Sequence, residues 1–142
     1  MPMSFREKSQ WVVLIALLLV YVPYFVRALP GHGADVAPSD VARFVGAVIA
    51  MVLLQVVGHV MLTVANRRDL AHGVQRDERD RLIDQRAGRI ALHVLSVGVF
   101  ATLCAALLVR GNFVVVHVLF GFWVLSQAVE LTTRIALYRR GA

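Results

Sequence analysis

Four apolar stretches, each long enough to cross a lipid bilayer, divide this chain, and short Arg-rich segments separate them. A transmembrane helix needs about 20 predominantly apolar residues to cross roughly 30 Å of hydrocarbon. The candidate spans are 11–29, 44–65, 90–109 and 113–133. Inside hydrocarbon every backbone N–H and C=O must be bonded within the chain, and runs of this length meet that condition as α-helices. With 58% hydrophobic residues over 142 positions, the chain carries more apolar surface than one small core can absorb, so lipid must solvate the rest. The expected fold is all-α: a polytopic four-helix transmembrane bundle, one membrane domain over residues 1–142, with up-down-up-down connections.

In the first span, Trp11 at one end and Tyr21 and Tyr24 toward the other suit interfacial positions, and Pro23 is expected to kink the helix. The rival reading of this segment is a cleaved signal peptide with Arg6 and Lys8 as its basic region. The apolar stretch outruns a typical signal core and no A-x-A site follows, so a retained helix is expected. Before the second span, Ser39 or Asp40 is expected to cap the helix start. Gly111 and Asn112 supply turn chemistry between the third and fourth spans.

Basic residues orient membrane helices. Arg6, Lys8, Arg67, Arg68, Arg76, Arg79, Arg81, Arg86, Arg89, Arg134, Arg139 and Arg140 fall on one side, twelve in all; Arg27, Arg43 and Arg110 are the three on the other. The positive-inside rule places both termini and the central segment 66–89 in the cytoplasm of a bacterial inner membrane. The net charge of +6 is accounted for by these flanks, so no direct nucleic-acid role is expected. The single cysteine, Cys104, sits in an apolar run as a small packing residue and forms no C-x-x-C pair.

The central segment is the only sizeable hydrophilic stretch. Gly73 is expected to end an extension of the second helix. Leu82, Ile83, Ala87 and Ile90 then recur at helical spacing, which predicts a helix starting near Asp77 and running unbroken into the third span. Asp77 can cap it, and Glu78 and Asp80 suit its positive dipole end. Asp77, Asp80 and Asp84 share a face at i, i+3 and i+7. Three carboxylates can hold a divalent cation, but pairing with Arg76, Arg81, Arg139 or Arg140 is the favoured reading.

The run DERDRLIDQRAGRIALHVLSVGV, followed by an apolar hairpin and the ending AVELTTRIALYRRG, resembles a family of small uncharacterised bacterial inner-membrane proteins. That family carries a cytoplasmic D-E-R-D-x-x-I motif leading into its third span, a glutamate in the fourth and a Y-R-R-G-type tail. The resemblance covers residues 77–141; the first two spans match only as hydropathy. Its members are often encoded beside small helix-turn-helix transcription regulators, which implies a regulatory partner in the cytoplasm. No catalytic residue is implied.

Ionisable side chains within spans are costly and are site candidates by default. His59, His93 and Glu130 come from three different spans, yet each lies roughly 5–10 Å below the cytoplasmic surface at 1.5 Å per residue. Gln55 shares a face with His59, and Arg134 shares one with Glu130, so the five residues are expected to form an intramembrane polar layer. The plain reading of that layer is interhelical hydrogen bonding with an internal Glu130–Arg134 pair. The sharper readings are a bis-histidine haem at His59 and His93, a divalent metal on His59, His93 and Glu130, and a proton-coupled Glu130 in a small exporter. His117, near the opposite end, lies outside the layer. Gly46 and Ala50 make a small-x-x-x-small step suited to a helix contact.

No nucleophile, phosphate-binding or dinucleotide motif appears. The expectation is a non-enzymatic interaction or regulatory protein without metal or cofactor, presenting Asp77, Glu78, Arg79, Asp80, Arg81 and Asp84 to a partner. The alternative is a small transporter or ligand-binding protein using the polar layer. Association of two copies in the bilayer stays open. The twelve-to-three bias predicts that reporter fusions at positions 34 and 111 read periplasmic and those at 73 and 142 cytoplasmic. A periplasmic C-terminus would overturn the four-span reading.

Overall fold

A computed structural model of the chain describes residues 5–65 and 78–140, with side chains from Glu7 onward. The described residues form four α-helices: α1 (Phe5–Ala28), α2 (Pro38–Ala65), α3 (Glu78–Leu108) and α4 (Phe113–Arg140). Each is long and apolar enough to cross a membrane. The helices overrun the apolar runs, because backbone bonding inside a helix continues into water once a span has nucleated it. α3, with 31 residues, is about 46 Å long and extends beyond its apolar part by the stretch from Glu78 to Arg89. Asp77 and Gly73, the expected cap and helix stop, lie outside the described residues.

α1 pairs with α2, α3 pairs with α4, and α1 packs on α4 to join the two hairpins. No Cα of α2 comes within 8 Å of one in α3, so the order across the bundle is α2, α1, α4, α3. The core lies where α1 meets α4 and α2: Leu14, Leu17, Tyr21, Met51, Leu131 and Ile135 are buried there together. Tyr21 and Tyr24, expected at the interface, are 3% and 8% exposed. Both rings turn inward, where Phe120 meets each of them edge-on. Pro23 lies inside α1, which continues through it to Ala28.

Close helix approach is set by glycines other than the one expected. A Cβ at Gly98 of α3 would lie 2.2 Å from Cβ of Phe122 in α4, and one at Gly58 of α2 would lie 2.5 Å from Val12 Cγ1 in α1. Ala87 and Ala91 continue the small-residue side of α3 that α4 covers. Gly46 has open space around it and serves no helix contact.

The loops at the far end interlock. Asn112 accepts from the Val36 amide at 2.7 Å through its side chain, and its own amide donates to Asp35 Oδ1 at 3.1 Å. The Phe113 amide donates to the Ala34 carbonyl at 3.1 Å. Gly111 adopts φ +84°, and a Cβ there would lie 2.1 Å from the Ala34 oxygen, so both conformation and space demand glycine. The α2 start also differs from expectation. Ala37 is the N-cap, because its carbonyl accepts from Asp40 and Val41, and Pro38 takes the first helical position. Asp40 closes the cap from inside the helix, accepting the Ala37 amide at 3.0 Å.

These approaches predict a ranking of alanine substitutions by thermal unfolding in mild detergent. Gly98→Ala and Gly111→Ala should each destabilise by about 1–3 kcal/mol, through overpacking and backbone strain. Gly58→Ala should cost less, since the opposing atom is a side-chain methyl, and Gly46→Ala should be neutral or stabilising by up to about 1 kcal/mol. Equal effects at positions 46 and 98 would contradict this packing.

Candidate functional site

The five residues of the expected polar layer are not assembled around one point. His59 donates from Nδ1 to the Gln55 carbonyl at 2.8 Å, which leaves Nε2 as the acceptor for the Ser9 hydroxyl at 3.1 Å. Both nitrogens are thereby used, and His59 ties α2 to α1. His93 is exposed on α3, with Nδ1 donating to the Arg89 carbonyl at 2.6 Å. The two imidazoles are thus engaged separately, His59 with α1 and His93 with its own helix. Glu130 pairs with Arg134 one turn later, and Arg134 Nε also faces Asp84 Oδ1 of α3 at 3.5 Å. That last contact is ionic rather than a hydrogen bond, since Nε finds no hydrogen-bond partner. Among the described residues, no three His, Cys, Asp or Glu side chains converge as metal ligands.

The extension of α3 sorts its charges by face. Ile83, Ala87 and Ala91 are buried against α4, and this sets the rotation of the whole segment. Asp80 and Asp84 lie on the flank of that buried side. Asp80 Oδ1 accepts the Tyr138 hydroxyl at 3.0 Å, and Asp84 meets Arg134. Both carboxylates therefore meet α4, through Tyr138 and Arg134; Arg76, another expected partner, lies outside the described residues. Arg139, one of the expected partners, goes instead to Glu7 of α1 at 3.0 Å, with its guanidinium 5.5 Å above the Trp11 ring. Arg79 donates to the Tyr138 carbonyl at 3.4 Å. The outward side keeps Glu78, Arg81, Leu82, Gln85, Arg86 and Arg89, all exposed.

At the loop end the structure builds a polar contact around a residue that the depth argument set aside. His117 is 6% exposed. Its Nδ1 donates to the Phe113 carbonyl at 2.9 Å, and its Nε2 accepts the Tyr24 hydroxyl at 3.0 Å. The rings of His32, Phe113, His117 and Tyr24 form one column, with successive centroids 4.2, 3.9 and 5.9 Å apart. A cavity of about 440 Å³ lined by Phe25, His117 and Gly121 and another of about 290 Å³ lined by Tyr24, Asp40 and His117 both border this imidazole. With both nitrogens bonded and the Asp40 carboxylate held by Arg43 at 3.0 Å, the group works as a polar clamp between α1 and α4. The available signal was the i, i+4 pair of Phe113 and His117 at a helix start, combined with a tyrosine at matching depth in α1.

Comparisons with protein-family models, with curated proteins and with solved structures find no match to this chain.

The clamp predicts a specific order of sensitivity. Tyr24→Phe strands the buried His117 acceptor and should cost about 1–2 kcal/mol in detergent unfolding, and His117→Ala should cost more because a packed ring is also lost. His93→Ala should change stability by less than about 0.5 kcal/mol. If His93→Ala proved as damaging as His117→Ala, the placement of the two imidazoles would be refuted.

Proposed function

We propose that this chain is a non-enzymatic interaction protein of a bacterial inner membrane, with both termini cytoplasmic, that docks a cytoplasmic partner on the outward side of the α3 extension. The supporting observation is the sorting of charge around that helix. Asp80 and Asp84 are spent inside the bundle on Tyr138 and Arg134, whereas Arg81, Leu82 and Gln85 face away from it. Leu82, 51% exposed in the hydrophilic part of the helix, is an apolar anchor with a polar rim, the usual anatomy of a docking surface. Asp80 and Asp84 thereby leave the docking face, on which Glu78 remains, and become part of its scaffold. The family resemblance of the Asp77–Ile83 motif makes a cytoplasmic transcription regulator the partner to test first. The transporter alternative is less supported, because His59 and His93 are engaged separately, His59 with Ser9 of α1 and His93 with its own helix.

Photo-crosslinking in intact membranes tests this reading. A photoreactive residue at position 81 or 85 should give a discrete protein adduct, and one at position 84, which faces α4, should not. Leu82→Asp should reduce the adduct at least about tenfold with the fold unchanged. Asp84→Arg should instead lower detergent stability. Absence of any protein adduct from 81 and 85 would overturn the proposal.

A further inference from the structure

The outward side of α3 carries a second set of polar groups, closer to the bilayer, that no other described helix meets. α3 packs on α4 alone, through Ile83, Ala87, Ala91 and Gly98. Opposite that side, Arg86, Arg89 and His93 follow one another at i, i+3 and i+7, and all three are exposed. Arg89 is the last charged residue before an apolar run that continues to Val109. Arg86 and Arg89 therefore lie where hydrocarbon gives way to headgroups, and His93 lies about 6 Å deeper.

His93 is the informative member. Its Nδ1 is held by the Arg89 carbonyl at 2.6 Å, and its Nε2 has no partner among the described residues. A polar group facing lipid at that depth is costly unless something polar reaches it. The two guanidiniums above it likewise have no carboxylate partner among the described residues, since Asp80 and Asp84 turn to the other side of the helix. Ile90 and Val97, both exposed on the same side, continue the strip as an apolar track into the membrane.

We infer that Arg86, Arg89 and His93 form a binding strip for the phosphate of an anionic phospholipid, with an acyl chain lying along Ile90 and Val97. Charge complementarity selects the occupant: guanidinium forks match phosphate oxygens, and a lipid phosphate already resides at this level. An acidic protein segment would have to carry its carboxylates four residues into the apolar run to satisfy His93, against the cost of placing charge there. The strip stands whether or not a protein docks farther out at Arg81 and Gln85.

The test uses the full chain in nanodiscs of phosphatidylcholine doped with phosphatidylglycerol, with retained lipids counted by native mass spectrometry. The wild-type protein should retain phosphatidylglycerol in preference to phosphatidylcholine. Arg86→Gln/Arg89→Gln should weaken that preference about thirtyfold, from roughly a fivefold contribution per arginine near an anionic surface. His93→Ala should weaken it roughly three- to fivefold, as loss of one hydrogen bond does. Arg86→Lys/Arg89→Lys should keep most of it, and circular dichroism should show unchanged helix content throughout. Arg81→Gln, farther from the bilayer, should have no effect. Equal retention of the two lipids by the wild type, or a preference that survives Arg86→Gln/Arg89→Gln, would overturn the assignment. So would loss of the position-81 protein adduct in that variant with lipid preference intact, which would give the strip to a protein partner.

Discussion

The contact between α1 and α4 holds this molecule together. Each hairpin is local in sequence, but the two hairpins meet through these central helices, and α2 and α3 flank them without approaching each other. In lipid no hydrophobic effect drives one apolar helix onto another, so the contact must rest on shape and on polar bonds. It has both. Leu14, Leu17 and Tyr21 pack against Leu131 and Ile135 along its middle. The Glu7–Arg139 pair closes one end, and the Tyr24–His117 bond closes the other. The interlocked loops around Gly111 and Asn112 add a second fastening at the His117 end.

Rotation of α3 about its own axis follows from its small residues. Ala87, Ala91 and Gly98 admit α4 at close range only in one orientation, and that orientation carries the extension with it as a rigid continuation of the same helix. The packing contact between α3 and α4 thus decides which charges face outward and which meet partners on α4. Asp80 and Asp84 face partners on α4, and Arg81, Arg86 and Arg89 face outward. The docking face and the lipid strip proposed for this helix both depend on that one rotation.

The intramembrane histidines show how depth and neighbourhood differ. Residue counting puts His59 and His93 at similar depths in their spans, yet one bonds to Ser9 of α1 and the other faces outward from α3. Depth follows from counting residues along a helix. Neighbourhood depends on which helices touch, and the open arrangement keeps α2 and α3 apart. His117 reverses the case: it sits away from His59 and His93, and Tyr24 and Phe113 make it the most enclosed imidazole among the described residues.

The amino-acid sequence by itself determined the four helices, the continuation of α3 beyond its span, the hairpin turn at Gly111 and the Glu130–Arg134 pair. Each of these is local: transfer from water to lipid adds up residue by residue, a turn needs its glycine in place, and an i, i+4 pair needs only the helix. The tertiary structure alone decided that Gly58 and Gly98 rather than Gly46 mark close contacts, that Tyr21 and Tyr24 turn inward, and that Arg139 binds Glu7 rather than the Asp80–Asp84 face. The reason is that a helix apolar on every side carries no amphipathic signal to say which side meets protein and which meets lipid. Only the fit of small residues and polar ends between particular helices resolves that choice.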